Sequence, residues 1–428
     1  MNSERSSLVF VYKMKNSTYP VFHQVLPVGT GPEGGLAIPT RGLYVVASEV
    51  DSRSTGVRSS ISIYQYGSSS AKYPTLVSKD RTNIATPIPF SALSGLAAET
   101  RDSNSNKLYS IEDSFFIKSR FFTIDVSKYP AVIESETRIL DSQDILINVP
   151  TNSNFDAAER SALVNSDDKT VNLDLEGIAV AADGGFWVVS EGAGTVGDAS
   201  RPITSLNFLI KLSQTGVIQN VITLPDVLND IQVRYGFEGV AEGTGGYAGN
   251  VLVIFQRAWG TEADTRLGWY NVATKTWKFF FYKLDVLPTV RNSGWVGLSD
   301  VAPICDASFL VLERDNQAGP DAQIKRLYKI DLANVAENSV VTKTLAYDLL
   351  PTLQKVSGLV PEKWEGVALN ARGDIYIVND NDGIDGLPSE MQLTLVQKGS
   401  KGNNLKSSCK KKGKKKEKKG KKRNRRLY

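Results

Sequence analysis

A short phrase recurs six times along this chain of 428 residues. Each copy has a turn ending in glycine, an apolar stretch, a second turn, a second apolar stretch and then acidic residues. One copy runs from Glu176-Gly177-Ile178-Ala179 to Phe186-Trp187-Val188-Val189-Ser190-Glu191. The glycines of the six copies are Gly34, Gly95, Gly177, Gly239, Gly297 and Gly366. They lie 58 to 82 residues apart, a period that is typical of radial repeats of short strands and predicts a β-propeller.

Each repeat contains more strands than the two in the phrase. A third apolar stretch follows at Asn207–Leu212, and a fourth is indicated at Val217–Leu224. Four strands in each of six repeats predict an all-β fold, a six-bladed β-propeller over residues 1–397. We expect the early strands Leu8–Tyr12 and Val21–Val25 to complete the last blade and close the ring, which removes exposed sheet edges.

The charge of the chain is divided unevenly between its body and its C-terminal tail. Residues 398–428 carry 16 basic side chains and one acidic one, whereas residues 1–397 carry 34 basic and 45 acidic side chains. The tail has too few apolar residues to offset the entropy of ordering, so we predict a disordered, Lys/Arg-rich tail. Such a tail either keeps the protein soluble or binds polyanions, and we favour polyanion binding.

Several kinds of site are excluded by residues that the chain lacks. His23 is its one histidine, which excludes a phosphohistidine and any site with several histidine ligands. Cys305 lies among strands and Cys409 in the tail, so we expect no disulfide framework. We also expect no signal peptide in this chain and no transmembrane segment, since no apolar run is long enough to span a bilayer. Any catalysis must therefore rest on carboxylates, basic side chains, the backbone and metal.

The acidic residues of the repeats are expected to gather at one end of the propeller. The first two strands of a blade run antiparallel, so the start of the first and the end of the second lie at the same rim. Carboxylates crowded there repel one another unless cations or hydrogen bonds offset the repulsion, and oxygen ligands favour calcium over magnesium or manganese. The candidate metal ligands are Glu33, Glu176, Glu191, Asp300, Glu313, Asp380 and Asp382. Alternatively, such a glutamate accepts backbone N–H groups of the neighbouring blade and only locks the ring.

Basic side chains near these carboxylates suit a phosphate group. Arg257, Arg314 and Lys325 are the candidate substrate ligands. Metal-assisted hydrolysis of a phosphorylated small molecule needs no histidine, so it fits this composition. The candidate catalytic residues are Glu176, Glu238 and Glu365.

Several runs of the chain resemble the phytase-like esterase family. The runs that carry the resemblance are Asp174–Ala179, Asp183–Val188, Ser190–Gly192, Tyr235–Ala241, Gln256–Arg257, Trp295–Asp300, Leu312–Asn316, Lys363–Ala368 and Val378–Asp382. The resemblance is strong over residues 170–397 and weaker over 30–125. It implies a β-propeller that hydrolyses phosphate or other esters with calcium, and it favours an extracellular or periplasmic protein. The loop Gly192–Arg201 is longer than in many members.

A non-enzymatic function is the competing hypothesis. In it the acidic rim engages a cationic or metal-bridged partner, and the basic tail anchors the protein to an anionic surface. In either case we expect a monomer.

Overall fold

Antiparallel strands build two units, a pair of N-terminal sheets and a ring of blades. The computed structural model of the protein describes residues 1–16, 18–52, 57–68, 73–290, 293–357, 360–383, 391–399, 405–406 and 409. The first N-terminal sheet consists of β1 (Asn2–Ser3), β2 (Leu8–Lys15) and β3 (Tyr19–Pro27). The second consists of β4 (Pro32–Ile38), β5 (Leu43–Ser48) and β6 (Ser60–Gln65), with a 3-10 turn at Pro39–Arg41. The two sheets pack through Val9, Leu26, Val28 and Val46.

Three short strands lead from these sheets into the ring. They are β7 (Leu76–Ser78), β8 (Asp80–Arg81) and β9 (Ile84–Pro87). The blades that follow are five sheets, in which consecutive strands are neighbours and antiparallel; β7 is added to the outer edge of the first one.

The strands of each blade follow one another from the axis outward. Blade 1 has β10 (Leu93–Ala98), β11 (Lys107–Glu112), β12 (Arg120–Asp125) and β13 (Ala131–Arg138); blade 2 has β14 (Leu175–Val180), β15 (Phe186–Ser190), β16 (Phe208–Leu212) and β17 (Ile218–Thr223). Blade 3 has β18 (Phe237–Glu242), β19 (Asn250–Phe255), β20 (Thr265–Asn271) and β21 (Thr276–Tyr282). Blade 4 has β22 (Val296–Cys305), β23 (Ser308–Asp315), β24 (Lys325–Asp331) and β25 (Thr344–Asp348); blade 5 has β26 (Trp364–Leu369), β27 (Ile375–Asn379) and β28 (Leu393–Gln397).

Helices are short and lie between strands. They are α1 (Ala157–Ala162), α2 (Asp226–Asn229) and α3 (Leu350–Ser357), with 3-10 turns at Leu146–Asn148, Gly245–Tyr247 and Gly319–Asp321. Asp156 caps α1 by accepting from the backbone N–H groups of Ala158 and Glu159. Within the described part of the chain, no helix combines the length and the apolarity needed to cross a bilayer.

Five inner strands close the ring around a narrow channel. Strands β10, β14, β18, β22 and β26 are neighbours in that order, and β26 packs against β10. The backbones approach so closely that an added Cβ at Gly177 would lie 2.8 Å from the Cα of Gly239. Glycine is required at such a position because any side chain would separate the strands. Residues such as Ala97, Ala179 and Ala368 line the channel, which leaves only about 20 Å³ of open space.

The prediction of six blades is wrong for the part of the chain that the structure describes, in which the ring has five. The first copy of the repeat forms β4 and β5, and this sheet packs on the first N-terminal sheet instead of joining the ring. An added Cβ at Gly34 would meet only the Cβ of Ala47, at 3.8 Å, so no second inner strand approaches it. With the channel already filled by five strands, the ring has no space for a sixth.

The ring is closed by residues 73–78 rather than by the predicted strands β2 and β3. Strand β7 pairs in parallel with β13 of blade 1. Just before β7, Thr75 bridges to Gln392, and Leu393 N donates to Pro74 O at 2.8 Å in blade 5. One segment thus joins the first and the last blade.

The expectation of no disulfide is also wrong. Cys305, at the end of β22, is bonded to Cys409, and their Cα atoms lie 6.1 Å apart. Cys409 and Leu405 pack against the apolar cluster between blades 4 and 5. The start of the tail is therefore fixed to the ring at this point, and most of the tail predicted to be disordered lies outside the described residues.

Candidate functional site at one end of the ring

Each inner strand of the ring begins with a β-bulge, and one side chain per blade projects from it. A bulge leaves its extra residue out of the ladder and re-aims the side chain. We call these side chains the bulge residues: Ser94, Glu176, Glu238, Ser299 and Glu365. Hydrogen bonds join them between blades, because Ser94 Oγ donates to Glu176 and Arg314 donates to both Ser299 and Glu365. The repeated Glu-Gly pair is thus a bulge followed by the glycine of the close approach.

A second set of side chains lies at the end of the second strand of each blade. We call these the strand-end residues: Asp113, Glu191, Gln256, Arg314 and Asp380. In four blades the backbone N–H of the strand-end residue donates to the carbonyl two positions before the bulge, at 2.8 to 3.0 Å; Glu191 N to Asp174 O is one example. The same backbone geometry therefore places chemically different side chains at the same end of the ring.

Bulge and strand-end residues surround a cavity of about 270 Å³, which we call the mouth cavity. Its lining is Asp113, Ser114, Asp174, Glu176, Glu191, Arg234, Tyr235, Glu238, Gln256, Trp295, Arg314, Glu362, Lys363, Glu365 and Asp380. Eight of these side chains are carboxylic acids and three are basic. Blades 1 and 2 contribute only acids to the ionisable lining, whereas Arg314 and Lys363 come from the side of blades 4 and 5. The cavity is therefore acidic overall, and its acidic and basic side chains are unevenly distributed around it.

Asp174, Glu176 and Glu191 form the most compact acidic group of the cavity. One carboxylate oxygen from each lies within 4.8 Å of those of the other two. Burial, followed by the charges of Asp174 and Glu191, raises the pKa of Glu176 well above its usual value. Burial and Asp174 likewise raise the pKa of Glu191 to about 7. Three oxygens at this spacing fit one calcium ion, whose ligands lie about 2.3 to 2.6 Å from the metal.

Arg314 and Glu365 form a buried ion pair at the opposite side of the mouth cavity. Their side chains are only 3% and 5% exposed. Within the part of the chain that the structure describes, no partner reaches Arg314 Nη1 or Glu365 Oε2. Burial alone would raise the pKa of Glu365, but Arg314 and Lys363 outweigh it and lower the pKa. An unpartnered donor and an unpartnered acceptor, both buried, thus line the same cavity.

Glu238 lies in the same cavity, and its pKa is shifted in the opposite direction from that of Glu365. Burial raises its pKa well above the usual value, and the charges of Glu176 and Glu191 add to this effect. Gln256 Nε2 donates a hydrogen bond to its Oε1 atom. Two carboxyl groups whose pKa values are separated by their surroundings can act as an acid and a base in one reaction.

Lys363 holds the acidic residues of blade 5. Its Nζ atom lies 2.9 Å from Asp380 Oδ2 and also contacts Asp382. Burial lowers the pKa of Lys363, but Asp380 and Glu365 outweigh this effect and raise it, so the lysine is protonated. Asp380 lines the cavity, whereas the side chain of Asp382 is 55% exposed and lies outside the lining. The structure therefore brings Asp380 to the site and leaves Asp382 at its edge.

The structure places Glu33 and Asp300 outside the lining of the mouth cavity. Glu33 belongs to β4, outside the ring, where one carboxylate oxygen from each of Glu4, Glu33 and Glu49 lies within 4.8 Å of the other two, so its role as a metal ligand stays a prediction. Asp300 occupies the position that glycine holds in the other blades, one residue after the bulge residue Ser299. Its carboxylate accepts from the backbone N–H groups of Leu96 at 3.2 Å and Val367 at 2.8 Å. Asp300 thus ties inner strands together within the channel, which is the locking role expected as the alternative.

Glu313 is likewise not a rim ligand. Successive side chains of a strand point to opposite faces, so Glu313 faces away from the cavity that Arg314 lines. It accepts from Tyr282 Oη and Lys343 Nζ, both at 2.7 Å.

Lys325 is not a substrate ligand. It lies on the third strand of blade 4, fully buried, and its Nζ atom donates to Asp315 Oδ1 at 2.6 Å. It also donates to the backbone carbonyls of Gln317 at 2.9 Å and Glu362 at 2.8 Å. Burial lowers its pKa to about 8, against the opposing effect of Asp315. The side chain links loops behind the site and stabilises them.

Arg257 stands behind the cavity wall rather than in it. Its guanidinium carbon lies 4.8 Å from the ring centroid of Tyr235 and 4.9 Å from that of Trp295. Both rings line the cavity. Tyr235 has a left-handed backbone with φ of 75°, a conformation that persists only where the surrounding structure enforces it. Arg257 therefore supports the aromatic wall by cation–π contact.

Sequence reasoning missed several residues of the cavity lining. The missed residues include Asp174, Arg234, Tyr235, Gln256, Trp295, Glu362 and Lys363. The sequence pattern could have identified two of them, because Asp174 and Lys363 each stand two positions before a bulge glutamate.

Comparison with known proteins gives one family and several distant folds. A family model described as phytase-like, esterase-like activity of phytase, matches residues 88–383. No curated protein shows significant similarity to the chain. Among solved structures, the Malassezia sympodialis allergen Mala s 1 is 13% identical, with a TM-score of 0.34, 85% of this chain covered and 92% of the other. A glucose dehydrogenase is 12% identical (TM-score 0.30; 86% and 96% covered), and the Dos1 propeller is 11% identical (TM-score 0.28; 87% and 74% covered).

Proposed function

We propose, from the premise that this chain belongs to the phytase-like family, that it is a calcium-dependent hydrolase of phosphoesters. One observation carries the proposal: three carboxylate oxygens spaced for calcium share a cavity with the unpartnered Nη1 atom of a buried arginine. A metal and a phosphate group need opposite charges close together, and the mouth cavity offers both.

Asp174, Glu176 and Glu191 are the residues that would hold the cation. Their donor atoms are all carboxylate oxygens, which suit a hard cation such as calcium. When bound, calcium would offset the repulsion among the carboxylates, polarise a phosphoryl oxygen and lower the pKa of a bound water.

Basic side chains of blades 4 and 5 bind the phosphate group. Arg314 keeps one nitrogen for it while the other side of the guanidinium holds Glu365. Lys363 adds a second positive charge at the cavity wall. A volume of about 270 Å³ admits the phosphate and the atoms next to it, so the rest of a larger substrate remains outside.

Glu238 and Glu365 handle the protons of the reaction. Glu365, kept ionised by Arg314 and Lys363, orients the attacking water and accepts its proton. Glu238, whose pKa is raised by burial, donates a proton to the leaving oxygen as the ester P–O bond breaks. The products are an alcohol and inorganic phosphate.

A cation-binding propeller without turnover is the second candidate. It is favoured by the excess of acids in the mouth cavity, eight carboxylic acids against three basic side chains. In this case the cavity binds calcium or a cationic partner, and the basic tail of residues 398–428 anchors the protein to a polyanion.

Phosphate release from a panel of phosphoesters, including phytate, separates the two candidates. Each substrate is assayed with calcium and with chelator, and calcium binding is measured by calorimetry on the same protein. Calcium-dependent release that is lost in Glu238→Gln and Arg314→Lys supports the hydrolase. Tight calcium binding without release from any substrate would support the cation-binding propeller instead.

We propose that the protein is exported and that its basic tail binds a polyanion. A disulfide such as Cys305–Cys409 is typical of oxidising compartments, which supports an exported protein. For the tail, polyanion binding is measured against salt with and without residues 398–428. A steep salt dependence that disappears on deletion supports anchoring through the tail.

A further inference from the structure

The two N-terminal sheets enclose a second cavity, far larger than the mouth cavity. It has a volume of about 740 Å³ and is lined by residues of β2 and β3 on one side and of β4 to β6 on the other. We propose that this cleft is a binding site for an uncharged, mostly apolar small molecule. The proposal is independent of the hydrolase function, because none of its residues belongs to the ring.

The lining of the cleft is apolar and aromatic. Its floor includes Val9 and Leu26, which are 2% and 8% exposed. Phe10 and four tyrosines contribute aromatic rings to the walls. Among the described residues that line the cleft, none has a charged side chain, although 22% of the chain is charged. The α-ammonium group of Met1 donates to the carbonyl of Phe10 at 3.0 Å. A charged ligand would lose its hydration there and meet no charged side chain, so the site favours a neutral one.

The tyrosines form a preformed wall. Tyr44 Oη donates to Asn2 Oδ1 at 3.3 Å, and Tyr64 Oη donates to the carbonyl of Pro27. Gly35 makes room for this arrangement, because a Cβ added there would lie 2.3 Å from Tyr44 Oη. With these hydroxyls held by the protein, the two rings offer their carbon surface to the cleft.

Size and lining together define the class of ligand. Small-molecule sites typically span about 300 to 1,000 Å³ and combine apolar walls with a few polar groups. Here Gln24 and Gln65 supply amide groups within the lining. The chemistry therefore suits a drug-sized hydrophobic molecule, such as an acyl chain or a fused ring system, with one uncharged polar end.

A fluorescence titration of the full chain tests the proposal. The probe is N-phenyl-1-naphthylamine, which is neutral and brightens in apolar surroundings. We expect saturable binding that weakens at least tenfold in Ala37→Trp, since Ala37 lines the cleft. Leu36→Trp is the matched control, because Leu36 lies outside the lining, is 59% exposed and precedes Ala37 on the same strand.

Two further measurements keep the test decisive. If Ala37→Trp does not fold, Tyr66→Ser replaces it, because Tyr66 lines the cleft and is 91% exposed; it should weaken binding at least threefold. The sulfonated analogue 8-anilinonaphthalene-1-sulfonate should bind at least tenfold more weakly than the neutral probe. No saturable binding to the unaltered chain, equal loss in the two tryptophan variants, or equal binding of the two probes would overturn the proposal.

Discussion

At the scale of single residues, the mouth cavity shows how one backbone position supports different chemistry. Glu176, Glu238 and Glu365 all occupy bulges, yet the pKa of the first two is raised and that of the third is lowered. The difference comes from the neighbours, which are carboxylates around Glu176 and basic groups around Glu365. Neighbouring charges and burial therefore assign the roles, rather than the glutamate itself.

The proposed calcium ligands are tested by replacing single glutamates with the uncharged residue glutamine. Glu176→Gln and Glu191→Gln should each weaken calcium binding at least about tenfold, about 1.4 kcal/mol, because a charged ligand oxygen is lost. Glu337→Gln is the control, since Glu337 is exposed and lies outside the lining of the mouth cavity. Calorimetry measures the affinities. Equal weakening by Glu337→Gln, or none by the other two, would remove calcium from this site.

The raised pKa of Glu191 predicts a pH dependence of calcium affinity. With its pKa raised to about 7 by burial and Asp174, the carboxyl group must lose a proton before it can bind metal. Affinity should therefore rise as the pH increases from 6 to 8. The measurement is the calcium dissociation constant at three pH values, with Glu191→Gln as the control. A slope that is unchanged in this variant would contradict the assignment.

Much of this site was predictable from the sequence, and the omissions have physical causes. Glutamates before glycine marked Glu176, Glu238 and Glu365, because in these three blades the bulge residue is a glutamate and the glycine of the close approach follows it. Asp300 was misplaced because the glycine of its phrase, Gly297, stands three positions before the true equivalent of the repeat glycine. Only the pairing register, which the sequence does not state, shows that Asp300 itself occupies the glycine position.

At the scale of elements, the glycine that follows the bulge in four of the blades controls how closely the inner strands approach. Gly177→Ala should lower the free energy of unfolding by about 3 kcal/mol, because its Cβ would lie 2.8 Å from a neighbouring Cα atom. Gly34→Ala should change stability little, since the nearest atom is 3.8 Å away. Chemical denaturation measures both. Similar losses in the two variants would mean that the first repeat also packs within a ring.

The same contrast explains why strand content was easier to predict than blade number. The phrase Gly34-Gly35-Leu36-Ala37 has the local pattern of an inner strand, and it does form a strand with a bulge, β4, but this strand lies outside the ring. Whether a strand joins the ring depends on its fit against two neighbouring strands. That fit is a property of the assembled channel, and a single repeat does not encode it.

At the scale of the whole molecule, the mouth cavity concentrates negative charge that folding must accommodate. The carboxyl groups of Glu176, Glu191 and Glu238 have raised pKa values in the folded chain, chiefly because of burial. Calcium bound to the folded chain would offset this unfavourable charge and stabilise the ring by mass action. Stability, metal binding and pH are therefore linked through one site.

This linkage predicts the direction in which the thermal stability changes with pH. For Glu191, the folded pKa of about 7 exceeds the ordinary value of 4.5, so the folded chain binds more protons than the unfolded chain between these pH values. Its contribution to stability is therefore lost as the pH rises through this window, and the metal-free Tm should decrease more steeply than that of Glu191→Gln. Calcium should raise the Tm more at pH 7.5 than at pH 5.5, because it binds the ionised carboxylates. Calorimetry at both pH values, with calcium and with chelator, makes the measurement. If calcium raises the Tm equally at the two pH values and in the variant, its stabilising site lies elsewhere on the protein.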